Sequence, residues 1–369
     1  MKKILVFIDN LEVGGIQTFI LNMVKSFDKN YKFDLLLLDD NKSNKLEEVY
    51  EKNDIKIFKL KKIWIKNPFD YVRYYKSINN FFKDNHDYDA IHLNSSSKNY
   101  PVLKFAKKYG IRVRIAHSHN TGFQTKNWLK IFIGNIFKKK LMKYATDLVA
   151  CSDLAAIWLF GKKKYFQNEV TIVKNGINLE LFRYRPDVRH QVRQQYNLDE
   201  KYVICNVGRF VNQKNHKFIL DIFKEIHIKN NSAVLLLIGE GPLMEDIINY
   251  SKLLGINEFI LFLGYKNNVS DFLQASDIFL MPSLYEGFPV TSIEAQASGL
   301  PCVFSDTITE HAKIIDNSKF LSLNSAPSEW ADICLNIKNN QRYFTYNILK
   351  DNGFDINSSK EIIKTIYNK

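Results

Sequence analysis

The sequence predicts an α/β protein built on parallel sheets, and three observations carry that reading. Short apolar runs of strand length alternate with segments of helical period along most of the chain. The chain opens as strand, Gly-Gly turn and helix, the way a Rossmann-like unit begins. Its 369 residues are enough for two domains of ordinary size.

Residues 3–8 read as a buried strand, followed by Gly14 and Gly15 and a helical period over 16–26. The turn is not G-x-G-x-x-G, so no dinucleotide site is read there. Further strands are expected at 33–38, 55–60 and 90–93. Asp87-Tyr88-Asp89 spells D-x-D, a pattern that can hold a divalent metal. It directly precedes a strand, where polar residues commonly end a loop, and we read it as loop. A strand at 113–116 ends in His117-Ser118-His119-Asn120, at the strand end where α/β sheets bind ligands. The His-x-His pair lacks a third metal ligand nearby. Strands at 147–150 and 170–173 follow, and the charged, Pro-containing stretch 184–201 reads as the boundary between domains.

A strand at 202–207 opens the second half. Arg209 and Lys214 lie on the loop after it, five residues apart and preceded by Gly208, so that both cations can reach one diphosphate. Strands at 233–238 and 259–263 flank a helix at 245–254. The most informative stretch is 276–304. A buried strand at 278–281 is followed by a turn from Pro282 to Pro289 and a helix over 291–298 that Gly299 stops, with Pro301 just beyond. A strand at 300–304 completes it. The helix start near Val290 offers free N–H groups and a positive dipole end, and Gly287 lets the backbone approach a ligand. Glu286 in the loop and Glu294 in the helix stand eight residues apart. The pattern suits a phosphate at the helix start with a carboxylate on either side accepting from hydroxyls, as in a nucleotide sugar.

These residues carry a resemblance. Pro-Ser-x-x-Glu-Gly-Phe-Pro-Val-x-x-x-Glu-Ala, spanning Pro282 to Ala295, resembles the donor-site signature of the retaining glycosyltransferase family 4, with the GT-B fold. The likeness extends over nearly the whole chain. It implies two Rossmann-like domains facing across a cleft: an acceptor-binding domain at 1–185, completed by 351–369, and a nucleotide-sugar domain at 201–350. It implies that Glu286 accepts from sugar hydroxyls and Glu294 from the ribose, that Arg209 and Lys214 neutralise the diphosphate, and that His119 meets the transferred sugar. Gly14 and Gly15 match a turn near the donor phosphates or the acceptor, or are a tight turn only. Gly287, Phe288, Pro289 and Val290 line the phosphate, and the loop with Tyr265 and Val269 meets the base. The sequence departs from relatives at Lys174 and Asn178, where Pro and Asp are usual, and at 305–309, where Gly-Gly is usual.

The implied reaction moves a hexose or N-acetylhexosamine from a UDP-sugar, without a metal or other cofactor, to a polyprenyl-diphosphate-linked glycan in bacterial surface polysaccharide synthesis. A nucleotide-sugar epimerase or hydrolase of the same fold is the alternative, and a non-catalytic basic module on membranes or nucleic acid is the reading from another class.

Composition bears on the partner. The net charge of +13 calls for an acidic partner or surface. From Ala90 to Thr146 there is no Asp or Glu but twelve Lys or Arg, among them Lys98, Lys126, Lys138, Lys139, Lys140 and Lys143. The helix expected at 126–144 carries Trp128, Leu129, Phe132, Ile133, Ile136 and Phe137 as one stripe. The stripe either packs on the core or meets a membrane, with the lysines on anionic lipid. We expect membrane contact through 98–144 and no nucleic acid, because no nucleic-acid-binding motif is present. The four cysteines, Cys151, Cys205, Cys302 and Cys334, form no C-x-x-C and read as buried thiols of a reducing compartment. With no signal-peptide pattern and no apolar run of spanning length, a cytoplasmic, membrane-peripheral location is expected.

Overall fold

Among the described residues, thirteen short strands, each continued by a helix or loop, build two parallel sheets. A computed structural model describes every residue except 12–13, 39–44, 62, 64–67, 124, 126, 338–341 and 343. The chain forms two compact units, Met1–Gly176 with Ile356–Lys369, and Ile177–Asp355.

The first unit holds β1 (Lys2–Ile8), β2 (Tyr31–Leu38), β3 (Lys56–Leu60), β4 (Ala90–Asn94), β5 (Val113–Ser118), β6 (Asp147–Ala150) and β7 (Val170–Ile172). Their order is β3-β2-β1-β4-β5-β6-β7, and every neighbouring pair is parallel. Residues Ile4 to Ile8 are buried on both faces of the sheet, which is why that run is continuously apolar rather than alternating. The strand order reverses direction between β1 and β4, which makes the gap beyond their C-terminal ends the topological switch point.

The second unit holds β8 (Tyr202–Val207), β9 (Ala233–Ile238), β10 (Ile260–Gly264), β11 (Ile278–Met281), β12 (Cys302–Ser305) and β13 (Ser318–Leu321), in the order β10-β9-β8-β11-β12-β13. Its switch point lies between β8 and β11. Trp330, fully buried, closes this core and donates its indole N–H to the Ser322 carbonyl at 3.1 Å. All four cysteines are buried and free. Two glycines are dictated by close approach here. At Gly239 φ is +141°, and a Cβ would lie 2.0 Å from the Gly208 oxygen; at Gly241 it would lie 2.6 Å from the Phe210 oxygen.

Three differences from the sequence expectation have physical causes. The units divide after Gly176, so residues 177–200 go with the second unit and the boundary expected at 184–201 is displaced. The charged stretch forms a helix, Pro186–Gln195, two of whose charges, Arg189 and Arg193, point inward. Arg189 and Arg193 bind the two oxygens of Asp277 at 2.6 and 3.3 Å and donate to the carbonyls of residues 274–276. At the C-terminus, Ile356–Tyr367 is the segment packed in the first unit, whereas 351–355 stay with the second. The strand β13 was not anticipated, because Ser-Lys-Phe-Leu is too short and polar a run to signal one. The helix expected at 126–144 begins at Trp128, with Asn127 as N-cap accepting from Lys130 N; Lys126 lies outside the described residues.

Candidate functional site

The switch point of the second sheet gathers the expected donor residues. The loop after β8 and the loop after β11 are stitched together there. Asn215, held at φ +55°, donates its side-chain amide to the Pro282 carbonyl at 3.1 Å. Leu284 N donates to Gln213 O at 2.8 Å, and Gln213 Nε2 donates to Tyr285 O at 2.9 Å and to Glu286 Oε2 at 3.2 Å. Lys214 Nζ donates to Glu286 Oε1 at 2.7 Å, and both side chains are largely buried. A charge-assisted pair of this kind fixes both groups. Lys214 runs over Gly208, where a Cβ would come within 3.1 Å of its Cδ. Arg209 is exposed at the same strand end.

Glu286 is therefore anchored by a cation and an amide rather than standing alone. A carboxylate has about four acceptor positions, so these two bonds leave acceptor capacity for a ligand. Lys214 likewise keeps two of its three N–H donors.

The helix Val290–Ala297 begins beside this pair. No side chain caps its start. A Cβ on Gly287 would meet no atom within 4 Å, so the space beside it is open. Gly299, at φ +67°, ends the helix with the Leu300 N–H donating to Ala295 O at 3.1 Å. Glu294 is 7% exposed, and its carboxyl makes no hydrogen bond among the described residues. Burial pushes it up to about 7.

Several expected ligands play other parts. Pro289 has no N–H to offer, and its buried carbonyl accepts from Ser292 N and Oγ at 3.0 and 2.7 Å. The Phe288 ring stacks on Phe354, with centroids 5.4 Å apart, and the Val290 side chain is core. Phe288 and Val290 can thus serve a phosphate only through their backbones. Val269 opens the helix Val269–Ala275 and packs on the core. Tyr265 N donates to Glu240 Oε1 at 3.3 Å. At 305–309, where the sequence departs from its relatives, Ser305 Oγ and Thr307 Oγ1 both donate to Ser283 O, at 2.5 and 2.8 Å, and hold the start of the Glu286 loop. Gln213, Glu240, Ser305 and Thr307 carried no sequence signal that named them.

In the first unit, His119 follows β5. Its Nε2 bonds Asn94 Oδ1 at 2.9 Å, its Nδ1 has no partner among the described residues, and its ring lies 4.0 Å from that of His117. Burial lowers its pKa to about 4, so the ring is neutral. His117 is tied to His92 at 3.0 Å, and His92 to the Tyr367 hydroxyl at 2.8 Å. Gly14 is the extended N-cap of the helix Gly15–Ser26. Asp87 pairs with Lys3, and Asp89 accepts from Lys3 N at 2.8 Å, at the opposite edge of the sheet from these residues.

The helix Trp128–Tyr144 settles where its stripe lies. Trp128 is 76% and Phe132 59% exposed, and Leu129, Ile133 and Ile136 are also exposed; only Phe137 turns in, stacking on Tyr71. The stripe is therefore not core. Lys139, Lys140 and Lys143 continue the exposed face. Lys138 does not: its Nζ donates to Trp158 O at 2.6 Å and lies over the Phe123 and Trp158 rings. No helix among the described residues is long and apolar enough to cross a membrane.

Comparison with known proteins identifies the family and the fold. The profile described as Glycosyltransferase Family 4 matches residues 13–181, and that described as Glycosyl transferases group 1 matches 188–353. The chain is 30% identical to EpsF of Bacillus subtilis, named as a glycosyltransferase, over all of this chain and 96% of that one. It is 28% identical to an Escherichia coli UDP-Gal:alpha-D-GlcNAc-diphosphoundecaprenol alpha-1,3-galactosyltransferase, over 59% of this chain and 58% of that one. The fold superposes on Anabaena HepE, solved with UDP and glucose, with a TM-score of 0.78 at 16% identity over the whole of both chains.

Proposed function

The chain belongs to glycosyltransferase family 4, and we propose that it moves a hexose or N-acetylhexosamine from a UDP-sugar to a hydroxyl of a polyprenyl-diphosphate-linked glycan. We take the reaction to retain the anomeric configuration, to need no metal and to serve surface polysaccharide synthesis. One observation carries the reading: Arg209, the Lys214–Glu286 pair, the uncapped helix start at Val290 and the buried Glu294 all gather at one switch-point edge. The names of the E. coli relative and of the HepE complex support the choice of UDP-sugar and lipid-linked acceptor.

In this reading the diphosphate lies at the helix start, with Arg209 and Lys214 stabilising the charge that grows on it as the sugar leaves. Glu286 fixes Lys214 and accepts from sugar hydroxyls. The leaving phosphate takes the acceptor's proton on the same face. A thermal-shift screen of UDP-, GDP- and dTDP-sugars, followed by measurement of nucleotide release, tests the assignment. Stabilisation by UDP-sugars and UDP release on turnover are expected; stabilisation by none of them contradicts it.

Glu294 gives a pH-dependent signature. A carboxyl near 7 is about half protonated at neutral pH, whereas ribose hydroxyls donate to its ionised form and pull its pKa down. UDP binding at pH 7 should then release about half a proton per site, and Glu294→Gln should abolish the release. Calorimetry in buffers of different ionisation enthalpy reads it, and wild-type binding without proton release would rule out a ribose contact.

We also propose that the chain lies on the anionic cytoplasmic membrane surface. The exposed stripe of Trp128–Tyr144 enters the headgroup layer, and Lys139, Lys140 and Lys143 meet the lipid phosphates. Each lysine near such a surface is worth about 1 kcal/mol. Trp128→Glu with Phe132→Glu should lower flotation with vesicles of phosphatidylglycerol and phosphatidylcholine at least about tenfold, with unchanged thermal stability. Flotation equal to wild type would refute the placement.

A further inference from the structure

We infer that Asp9 is the side chain with which the first unit grips the acceptor, its carboxylate accepting a hydrogen bond from a hydroxyl of the acceptor sugar. This rests on the transferase reading above.

Four observations carry it. The first is position. Asp9 directly follows β1, and Ser95 directly follows β4. These are the two strands between which the order of the first sheet reverses, and ligands of open α/β sheets bind outside the C-terminal strand ends at that point. Asp9 Oδ2 accepts from Ser95 Oγ at 2.7 Å, directly across the switch point.

The second is preorganisation. Asp9 Oδ1 accepts from Asn99 Nδ2 at 2.7 Å, and Asn99 Nδ2 also donates to Ser95 Oγ at 2.6 Å. Asn99 is buried and held from behind by the Tyr74 hydroxyl, which donates to its Oδ1 at 2.7 Å. Tyr74 is itself 3% exposed, so this chain of bonds reaches from the core to the carboxylate and fixes its orientation. Its hydroxyl proton is held far above the ordinary phenol range by burial first and by the Asp9 charge second, which keeps it a donor.

The third is charge. The protein carries 52 Lys and Arg against 39 Asp and Glu, yet the partners of Asp9 among the described residues, Ser95 and Asn99, are neutral donors. Among the described residues no cation pairs with it, so its charge is left to neutral donors such as hydroxyls. The fourth is capacity. Two of about four acceptor positions are used, and the residue is partly exposed, so the remainder is open to a ligand that donates. Sugar hydroxyls are such donors. Asn94 and His119, which share this edge through their 2.9 Å bond, supply further polar groups around the same place.

Asp9 contacts the substrate in this account, whereas Ser95, Asn99 and Tyr74 are positioning residues. The test uses the full-length protein with its preferred UDP-sugar and, as acceptor probes, octyl glycosides of hexoses and N-acetylhexosamines. For Asp9→Asn, glycoside-dependent UDP release should fall about 10- to 100-fold in kcat/KM, the range for a hydrogen bond to a charged group. UDP affinity by calorimetry should stay within twofold. Tyr74→Phe, which loosens Asn99 without touching substrate, should raise the glycoside KM a few-fold and leave kcat and UDP affinity unchanged. An Asp9→Asn protein whose glycoside-dependent rate stays within threefold of wild type overturns the inference. So does one that loses UDP affinity by the same factor, or a wild type whose turnover no glycoside raises. A wild type that binds no UDP and releases none overturns the transferase reading instead.

Discussion

Lys214→Ala is expected to lower turnover of the UDP-sugar about 10²- to 10³-fold, the usual cost of removing one preorganised group that stabilises developing charge, or about 2.7–4 kcal/mol. The geometry makes a second effect inseparable from the first. Lys214 is the cation of Glu286, so its removal leaves that carboxylate largely buried with, among the described residues, only the Gln213 amide as partner. The loop of Glu286 should then shift. Steady-state kinetics with the Lys214→Ala, Glu286→Gln and double variants separates the two effects. If Glu286 acts mainly by holding Lys214, the double variant should be about as slow as Lys214→Ala alone. Fully additive losses would mean that the two side chains act independently. Arg209→Ala leaves the pair intact and should cost a comparable factor in kcat without the rearrangement.

The largest effect on stability is expected at Asp277. Its carboxylate takes Arg189 on one oxygen and Arg193 together with the Val203 N–H, at 2.8 Å, on the other. Arg342 adds a third guanidinium, bonded to the carbonyls of Leu273, Gln274, Ser276 and Ser298. Burial, with Arg189 next in effect, lowers Arg342 to about 9. Asp277→Ala removes the one carboxylate and leaves the arginines facing one another. Breaking a buried pair in this way costs about 3–5 kcal/mol, which for a unit of this size lowers Tm by roughly 10 °C. Thermal unfolding followed by circular dichroism checks it. A Tm within about 2 °C of wild type would mean that carbonyls and solvent alone satisfy the guanidiniums.

The same residues show what could be read from the sequence. Twelve of the thirteen strands announce themselves as apolar runs, because a strand of a parallel sheet is covered on both faces; β13 does not, since an edge strand can be short and polar. The stretch 184–201 was misread because charge in a sequence does not tell which way it points. Arg189 and Arg193 point at Asp277, some 85 residues further on, and only the fold brings them together. The exposed stripe of Trp128–Tyr144 posed the opposite difficulty: its period is that of any packed helix, and only exposure distinguishes a core face from a surface one.

At the site, residue types and spacing were enough to single out Arg209, Lys214, Glu286 and Glu294. They were silent on the pairing of Lys214 with Glu286, because that contact depends on the two loops leaving adjacent strands β8 and β11. The resemblance set Phe288 and Val290 beside the phosphate without saying through which atoms, and the fold turns both side chains into packing, which leaves their backbones for that part. Asp9 had no motif at all. Its interest arises from the reversal of strand order beside it, a property of the sheet and not of the residues around it in sequence.

The most direct test of the donor site is amide hydrogen exchange of the full-length protein with and without saturating UDP. Protection is expected in three separate peptides, covering 208–215, 264–269 and 283–294, which share nothing in sequence and meet at the ends of β8, β10 and β11. Protection that leaves 208–215 and 283–294 unchanged while appearing elsewhere would contradict the placement of the nucleotide sugar at this edge.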